Sequence, residues 1–223
     1  MLDLSSITNA MQPKTMAARD WVFHVIRSAI VQGVLPGGMP LRQDEISESL
    51  SVSHIPVREA LRQLEAQGLV RIYPNRGAVV TKLTAQELSN IMDIRIMLEL
   101  GALKNALHKI DKIVIEKARE IYELSLIEND YNRLEELNLK LHFTLYQPAD
   151  NPELMQLIDQ FHANVDRYIR PYYSDIKLHK SSLDEHLQLI NACERRDVGL
   201  ATAVLRTHLE QTKNMLMNSP VLN

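Results

Sequence analysis

Two short runs of β-branched residues stand out in a chain whose other regular patterns are helical. They span residues 69–73 and 78–81, and a turn at 74–77 with the sequence PNRG separates them. Side chains branched at Cβ favour strands, and two such runs joined by a short turn predict a β-hairpin. No run of this kind follows Thr84. We therefore predict a mainly α fold in which strand structure is confined to this hairpin.

Three helical segments precede the hairpin. The first shows helical spacing of apolar residues and ends near Gln32 and Gly33, and the second covers about residues 43–50. The third follows Ser53, a good N-cap residue, and ends at Gly68. Its apolar residues recur at the i, i+3, i+4, i+7 positions of one buried face, namely Val57, Ala60, Leu61 and Leu64. Three helices with a tight turn before the third, followed by a hairpin, form the layout of a winged helix-turn-helix.

The outward face of the third helix carries side chains that suit DNA. His54, Arg58 and Arg62 lie there, and the two arginines are one turn apart. Arginine is the side chain that best matches guanine edges and phosphate, and a recognition helix offers such a face to the major groove. Arg76 stands at the hairpin tip beside Gly77, where the backbone can approach a groove. A small packing domain with solvated arginines is the alternative.

Composition excludes several classes of protein. The chain has 223 residues, of which 45% are hydrophobic, and no uninterrupted apolar run exceeds three residues. A bilayer span needs about 20 such residues and a secretory signal about 7–15, so we expect neither. Cys193 is the one cysteine, so no intrachain disulfide can form, and we expect a cytoplasmic protein.

Charge is unevenly distributed along the chain. Residues 1–83 carry nine Lys or Arg and seven Asp or Glu, whereas residues 84–223 carry sixteen and twenty-one. The positive part is the predicted winged helix-turn-helix, which suits an anionic partner.

The rest of the chain reads as a series of amphipathic helices. Breaks are expected near residues 108–111, 128–130, 148–152, 170–174 and 195–199. We predict a flexible arm over residues 1–15, a winged helix-turn-helix over 16–83 and an all-helical bundle over 84–217.

Four side chains of this bundle form a candidate metal set. Asn138 and His142 share a helix face at i, i+4 spacing, and His186 and His208 border apolar positions of two other helices. If these faces converge, the set suits zinc or a similar divalent ion with open coordination positions, nickel or another transition metal being further choices. Ordinary core histidines, or convergence of only two of them, are the alternatives.

Several motifs resemble the GntR family of bacterial transcription regulators. The resemblance is carried by IRSAIVQGVLPGG and by SVSHIPVREALRQLEAQGLVRIYPNRGAVV, which includes Ser53 and Arg58. It implies a DNA-binding regulator. Relatives often carry arginine at the positions of Asp44 and His54, and Arg42 is a partial substitute. We therefore predict an operator that differs from the usual family site.

The helical remainder resembles the FCD effector domain of the FadR-like subgroup. NLKLHFTLYQPADNPEL supplies Asn138 and His142, and EHLQLINACERRDVGLATAVLRTHLEQT supplies His186 and His208. Many members hold a metal through Asp or Asn and three histidines. In IMDIRIMLE, Arg95 corresponds to an effector-pocket arginine, and the alternative is an ion pair with Glu99 at i+4, worth about 0.3–0.5 kcal/mol. His162, His179 and Arg167 are assigned no role beyond surface or core positions.

These resemblances imply a homodimeric repressor that binds an inverted-repeat operator and responds to a small effector. Asn138 is neutral, so the metal would keep its full positive charge, and we expect a carboxylate effector between the metal and Arg95. We expect no enzyme, because HExxH, nucleophile-elbow and phosphate-loop motifs are absent, as is the ExxH pair of carboxylate-bridged bundles. A metal-dependent helical-bundle enzyme and an interaction protein without DNA binding are the alternatives.

Overall fold

The computed structural model describes residues 4–8, 16–74, 77–169 and 176–218. The chain divides into two compact units, an N-terminal unit over Met1–Thr84 and a C-terminal unit over Ala85–Asn223. Within the described residues, no helix is both long enough and apolar enough to cross a bilayer.

The N-terminal unit combines short helices with a small antiparallel sheet. Its elements in chain order are α1 Ser5–Thr8, α2 Ala18–Val31, β1 Pro40–Leu41, α3 Gln43–Leu50, α4 His54–Ala66, β2 Val70–Tyr73 and β3 Gly77–Val80. The sheet order is β1-β3-β2, with Pro40 opposite Val79 and Val70 opposite Val80. The hairpin β2–β3 and the helices before it confirm the predicted winged helix-turn-helix. β1 was not predicted, because a two-residue strand that begins with proline has no readable period.

The core of this unit lies between α2 and α4. The predicted inner face of α4 is buried, and the facing side of α2 is buried as well: Val22, Val25, Ile26, Ala29, Ile30, Val57, Ala60, Leu61 and Leu64. The turn before α4 is closed by Ser51, which has a φ of 53° in the left-handed region. Apolar packing of one face therefore directs the opposite face of α4 to solvent.

Two local details of this unit were not anticipated from the sequence. Within the predicted flexible arm, Ser5–Thr8 form α1, and Leu4 and Ile7 are buried. Leu4 lies just before α1 and Ile7 lies within it, so this short segment has two packed apolar side chains. Ser53 does occupy the N-cap position of α4, but its side chain accepts no capping hydrogen bond.

The C-terminal unit is a helical bundle. Its helices are α5 Ala85–Ala106, α6 Lys112–Ile127, α7 Tyr131–Tyr146, α8 Pro152–Ile169, α9 Ile176–Glu194 and α10 Val198–Met217. The described helix ends match the predicted breaks, and the predicted break at 170–174 lies outside the described residues. Asp111, Asp130 and Asp197 cap α6, α7 and α10 by accepting from backbone N–H groups of the first turn. These caps set the residues at which the three helices begin.

Candidate nucleic-acid interface and metal centre

The DNA-contact residues predicted from the sequence lie on the surface of the N-terminal unit. Those within the described residues are exposed: Arg42, Ser53, His54, Arg58, Arg62 and Gly77. Arg76 lies outside the described residues. Arg58 and Arg62 share the solvent face of α4 opposite its buried stripe. This face has the arrangement that a recognition helix needs, with one side packed and the other open.

Two exposed contacts join α3 and its flanks to this surface. His54 Nδ1 lies 3.6 Å from Asp44 Oδ1, and Arg42 Nη1 lies 3.4 Å from Glu45 Oε1. Exposed pairs of this kind are worth at most about 1 kcal/mol. They therefore cost little to exchange for contacts to DNA. The first of these contacts places Asp44 and His54 side by side, the two positions at which relatives often carry arginine.

The wing is anchored to the recognition helix by one side chain that sequence reasoning missed. Glu65, in the last turn of α4, accepts a hydrogen bond of 2.7 Å from the backbone N–H of Ile72 in β2. β2 is an edge strand of the sheet. The carboxylate therefore satisfies an edge donor and sets the position of the hairpin relative to α4.

In the C-terminal unit, the three predicted histidines converge. His142 on α7, His186 on α9 and His208 on α10 are all buried, and one ring nitrogen from each lies within 4.8 Å of the others. Their ring centroids are 4.8–5.2 Å apart. Helical periodicity placed each residue on an inward face, and packing of α7, α9 and α10 brings those faces together. We call this set the trihistidine cluster.

Hydrogen bonds orient two of the three imidazoles. Tyr146 donates to Glu99 Oε2 over 3.0 Å, so its oxygen accepts from His142 Nδ1, which is also 3.0 Å away. Glu185 Oε2 lies 2.7 Å from His208 Nδ1 and accepts from it. In both rings the proton is held on Nδ1, which leaves the Nε2 lone pair for a ligand. Such outer partners are typical of histidines that bind metals.

Asn138 supplies an oxygen to the same region. Its Nδ2 donates to Glu135 Oε2 over 3.3 Å, whereas its buried Oδ1 has no hydrogen-bond partner within the described part of the chain. An unmatched buried acceptor is costly, and a cation is one partner that would satisfy it. The orphaned oxygen and the Nε2 lone pairs of His142 and His208 fit a transition-metal ion.

A cavity of about 100 Å³ adjoins these residues. Its lining includes Asn138, His142, His208, His162 and Arg95. A single water needs roughly 10–15 Å³ of such space, so the cavity admits a molecule of several non-hydrogen atoms.

Arg95 forms the predicted pair with Glu99 and also faces the cavity; its role toward an effector stays a prediction. Its Nε donates to Glu99 Oε1 over 2.9 Å, and its side chain also lines the cavity. The two side chains are only 5% and 2% exposed, so the energy expected for an exposed pair does not apply here. Removing one partner of a buried pair costs about 3–5 kcal/mol, far more than for an exposed pair.

Burial controls the protonation of this network. Desolvation, with smaller contributions from His186, His208 and Arg95, lowers the pKa of His142 well below 6.5. Burial and the neighbouring Glu99 carboxylate raise the pKa of the Tyr146 hydroxyl. At neutral pH the imidazole of His142 is therefore neutral, which is the form that binds a metal, and Tyr146 keeps its proton.

Family models match both units. Residues 19–80 match the model described as bacterial regulatory proteins, gntR family, and residues 90–211 match the FCD domain. The chain belongs to the GntR family. It is therefore a DNA-binding transcriptional regulator with an FCD domain, and this confirms the resemblance inferred from its motifs.

Individual GntR relatives agree with this assignment. The HTH-type transcriptional repressor RspR of Escherichia coli K12 is 26% identical over 200 residues, which cover 88% of each chain. A GntR-family regulator from Pseudomonas syringae pv. tomato DC3000 is 35% identical, with 95% of this chain and 89% of that chain covered and a TM-score of 0.55. E. coli McbR/YncC, at 22% identity, shares the fold with a TM-score of 0.80 over 91% of this chain and 98% of its own.

A second polar cluster of this GntR protein was missed by sequence reasoning. Glu135, His162 and Asp166 are all buried, and one ligand atom from each lies within 4.8 Å of the others. The signals were local: His162 and Asp166 are four apart on α8, and Glu135 precedes Asn138 by three on α7. Neither spacing shows that α7 and α8 bring these side chains together.

The metal-free protein should lose stability as the pH falls below about 6.5. In the unfolded chain His142 takes up a proton near that pH, whereas burial lowers its pKa in the folded protein. Between the two values the unfolded state holds more protons, so the free energy of unfolding rises with pH. Urea unfolding followed by circular dichroism in a chelator measures this slope.

His142→Gln should reduce that slope by roughly one proton. The matched control is His108→Gln, since His108 is exposed. An unchanged slope in His142→Gln would contradict the role of burial.

Proposed function

We propose that this regulator is a metal-dependent repressor that releases its operator when a small carboxylate binds in the C-terminal unit. The observation that carries the proposal is the convergence of the trihistidine cluster beside a cavity that Asn138 and Arg95 also line. RspR is named as a repressor, which supports the same direction of control here.

The chemistry of the donors supports an anionic effector. His142, His186, His208 and Asn138 would hold a divalent ion such as zinc, with nickel or another transition metal as further choices. When bound, that ion would supply a positive, Lewis-acidic centre. Its four direct ligands would be neutral, and the Glu185 carboxylate on His208 would offset its +2 charge only in part. A carboxylate on the cavity side would offset this charge.

Arg95 is the proposed second contact of the effector. Its guanidinium carries five N–H donors, of which the Nε donor is used by Glu99. The remaining donors suit a carboxylate, and the guanidinium lines the cavity. Glu99 and Tyr146 hold Arg95 and His142 in one hydrogen-bonded chain, so a ligand that contacts both ends acts on a single connected network.

The N-terminal unit supplies the DNA half of the proposal. We assign Arg58, Arg62 and His54 on α4 to the major groove, and Arg76 with Gly77 to the tip of the wing. Arg42 and Ser53 are assigned to contacts at the edge of the recognition helix. The DNA partner also supports a cytoplasmic location.

A homodimer is supported by the unusual composition of α5. Apolar side chains lie on all sides of this helix, and such helices are normally covered all round. Leu88, Met92 and Ile96 are buried, whereas Ile94 and Met97 are 37% and 71% exposed. We propose that a second copy of the chain covers this outer face. A twofold dimer would then match an inverted-repeat operator.

Arginine substitutions test the DNA interface. Arg58→Ala and Arg62→Ala should each weaken operator binding by about 1–3 kcal/mol, measured by fluorescence anisotropy at fixed salt on DNA recovered by in vitro selection. Arg206→Ala, at an exposed arginine of α10, is the control. Equal affinities of all three variants would contradict the interface.

The same selection checks the operator. We expect a sequence that differs from the common family site, because Asp44 and His54 stand beside each other on this surface. Recovery of the common site, with Arg42→Ala and His54→Ala both harmless, would overturn that expectation.

Calorimetric titration tests the effector site. Acetate, succinate and citrate should bind the zinc-loaded wild type, and binding should be lost in His142→Ala stripped of metal. Asn138→Asp should raise metal retention but weaken anion binding, because the added charge offsets that of the ion. A bound effector should lower operator affinity by about 5–150-fold. Equal carboxylate binding by the wild type and by stripped His142→Ala would contradict the proposal. His108→Ala is the control.

Sedimentation tests the dimer face. Met97→Glu should shift the protein from dimer to monomer, because a carboxylate cannot be buried there without a partner. Ile113→Glu, at an equally exposed position on α6 (72%), should leave the dimer intact. A dimer that survives Met97→Glu would argue against α5 as the interface.

A further inference from the structure

The cluster formed by Glu135, His162 and Asp166 has the make-up of a cation site. Glu135 lies on α7, and the other two side chains lie one turn apart on α8. Their exposed fractions are 1%, 5% and 3%, and Glu135 Oε1 is 3.3 Å from His162 Nε2. We propose that these three residues bind a second divalent cation, of the harder type represented by Mn²⁺, at a site separate from the trihistidine cluster.

The charge of the cluster favours a divalent occupant. Two carboxylates and a neutral imidazole are together the donor set that offsets the +2 charge of such an ion.

The ligand types separate this site from the trihistidine cluster. Three imidazoles and an amide oxygen suit zinc, nickel or copper, whereas carboxylate oxygens suit manganese, magnesium and calcium. The imidazole of His162 favours manganese within that second group, because magnesium and calcium take oxygen ligands almost throughout. Two chemically different donor sets in one unit are therefore expected to select different ions.

The two proposed sites lie at different positions along α7, and Asn138 lies between them. Glu135 and His142 are seven residues apart, about 10 Å along a helix axis. Asn138 lies between them on the same face, with Nδ2 bonded to Glu135 and Oδ1 buried. An ion on Glu135 would therefore stabilise the orientation of Asn138 that offers its oxygen to the other site. His162 also lines the cavity, which provides a path of entry.

A purely positioning role is the rival explanation. In that case Glu135 orients Asn138, and Glu135 is itself held by His162 and Asp166. No ion binds. The two explanations differ in one measurable quantity, the number of metal ions bound per chain. That number does not depend on DNA or on any carboxylate, so it tests this proposal separately from the proposed function.

The experiment uses the full chain stripped of metal by a chelator. The wild type is loaded with one equivalent of Zn²⁺ and titrated with Mn²⁺, and free Mn²⁺ is followed by electron paramagnetic resonance. We expect one Mn²⁺ to bind per chain without release of zinc. Asp166→Asn should weaken Mn²⁺ binding by at least about 10-fold and leave zinc in place. His142→Gln should do the reverse, losing zinc and keeping Mn²⁺, and His108→Gln should change neither.

Two results would overturn the proposal. One is a wild type that holds no Mn²⁺ beyond its first equivalent of zinc, and this readout stands even if Asp166→Asn fails to fold. The other is equal Mn²⁺ affinity in the wild type, Asp166→Asn and His162→Gln. Loss of zinc binding with Mn²⁺ binding retained would instead count against the trihistidine centre alone.

Discussion

Burial of polar side chains is the constraint on which the C-terminal unit depends. Its interior takes in His142, Tyr146 and Glu99 together with Arg95, and each of these groups would be costly there without a partner. Hydrogen bonds between residues four apart on one helix offset this cost: Arg95 pairs with Glu99, and His142 pairs with Tyr146. The contact from Tyr146 to Glu99 then joins two helices. A connected network of this kind holds ligands in defined orientations.

The N-terminal unit solves the opposite problem. Its polar residues must stay accessible, so apolar packing between α2 and α4 supplies the stability and directs Arg58 and Arg62 to solvent. Polar contacts refine the geometry, such as that of Glu65 with the wing. Because the buried apolar face stabilises the fold, the outward side chains can change without loss of the fold. Asp44 and His54 illustrate this.

Helix α5 links the two features that regulation would need. Arg95 and Glu99 face inward, where the first lines the cavity and the second accepts from Tyr146. Ile94 and Met97 face outward on the same helix. A change in the contacts of Arg95 therefore acts on the helix that we propose lies between two copies of the chain. Helices are stiff over such distances, so a small shift at one face moves the other.

The sequence by itself determined whatever depends on neighbours within about four residues. The hairpin, the buried stripe of α4 and the inward placement of His142, His186 and His208 all follow from local spacing. The two-residue strand β1 and the packed segment at Leu4 and Ile7 were not predicted, because the apolar residues of such short segments show no periodicity. Only the tertiary structure decided that three imidazoles meet, that Glu185 orients His208, and that Glu135 lies beside His162 and Asp166. These contacts join different helices, and the distance between two helices is set by packing rather than by position along the chain.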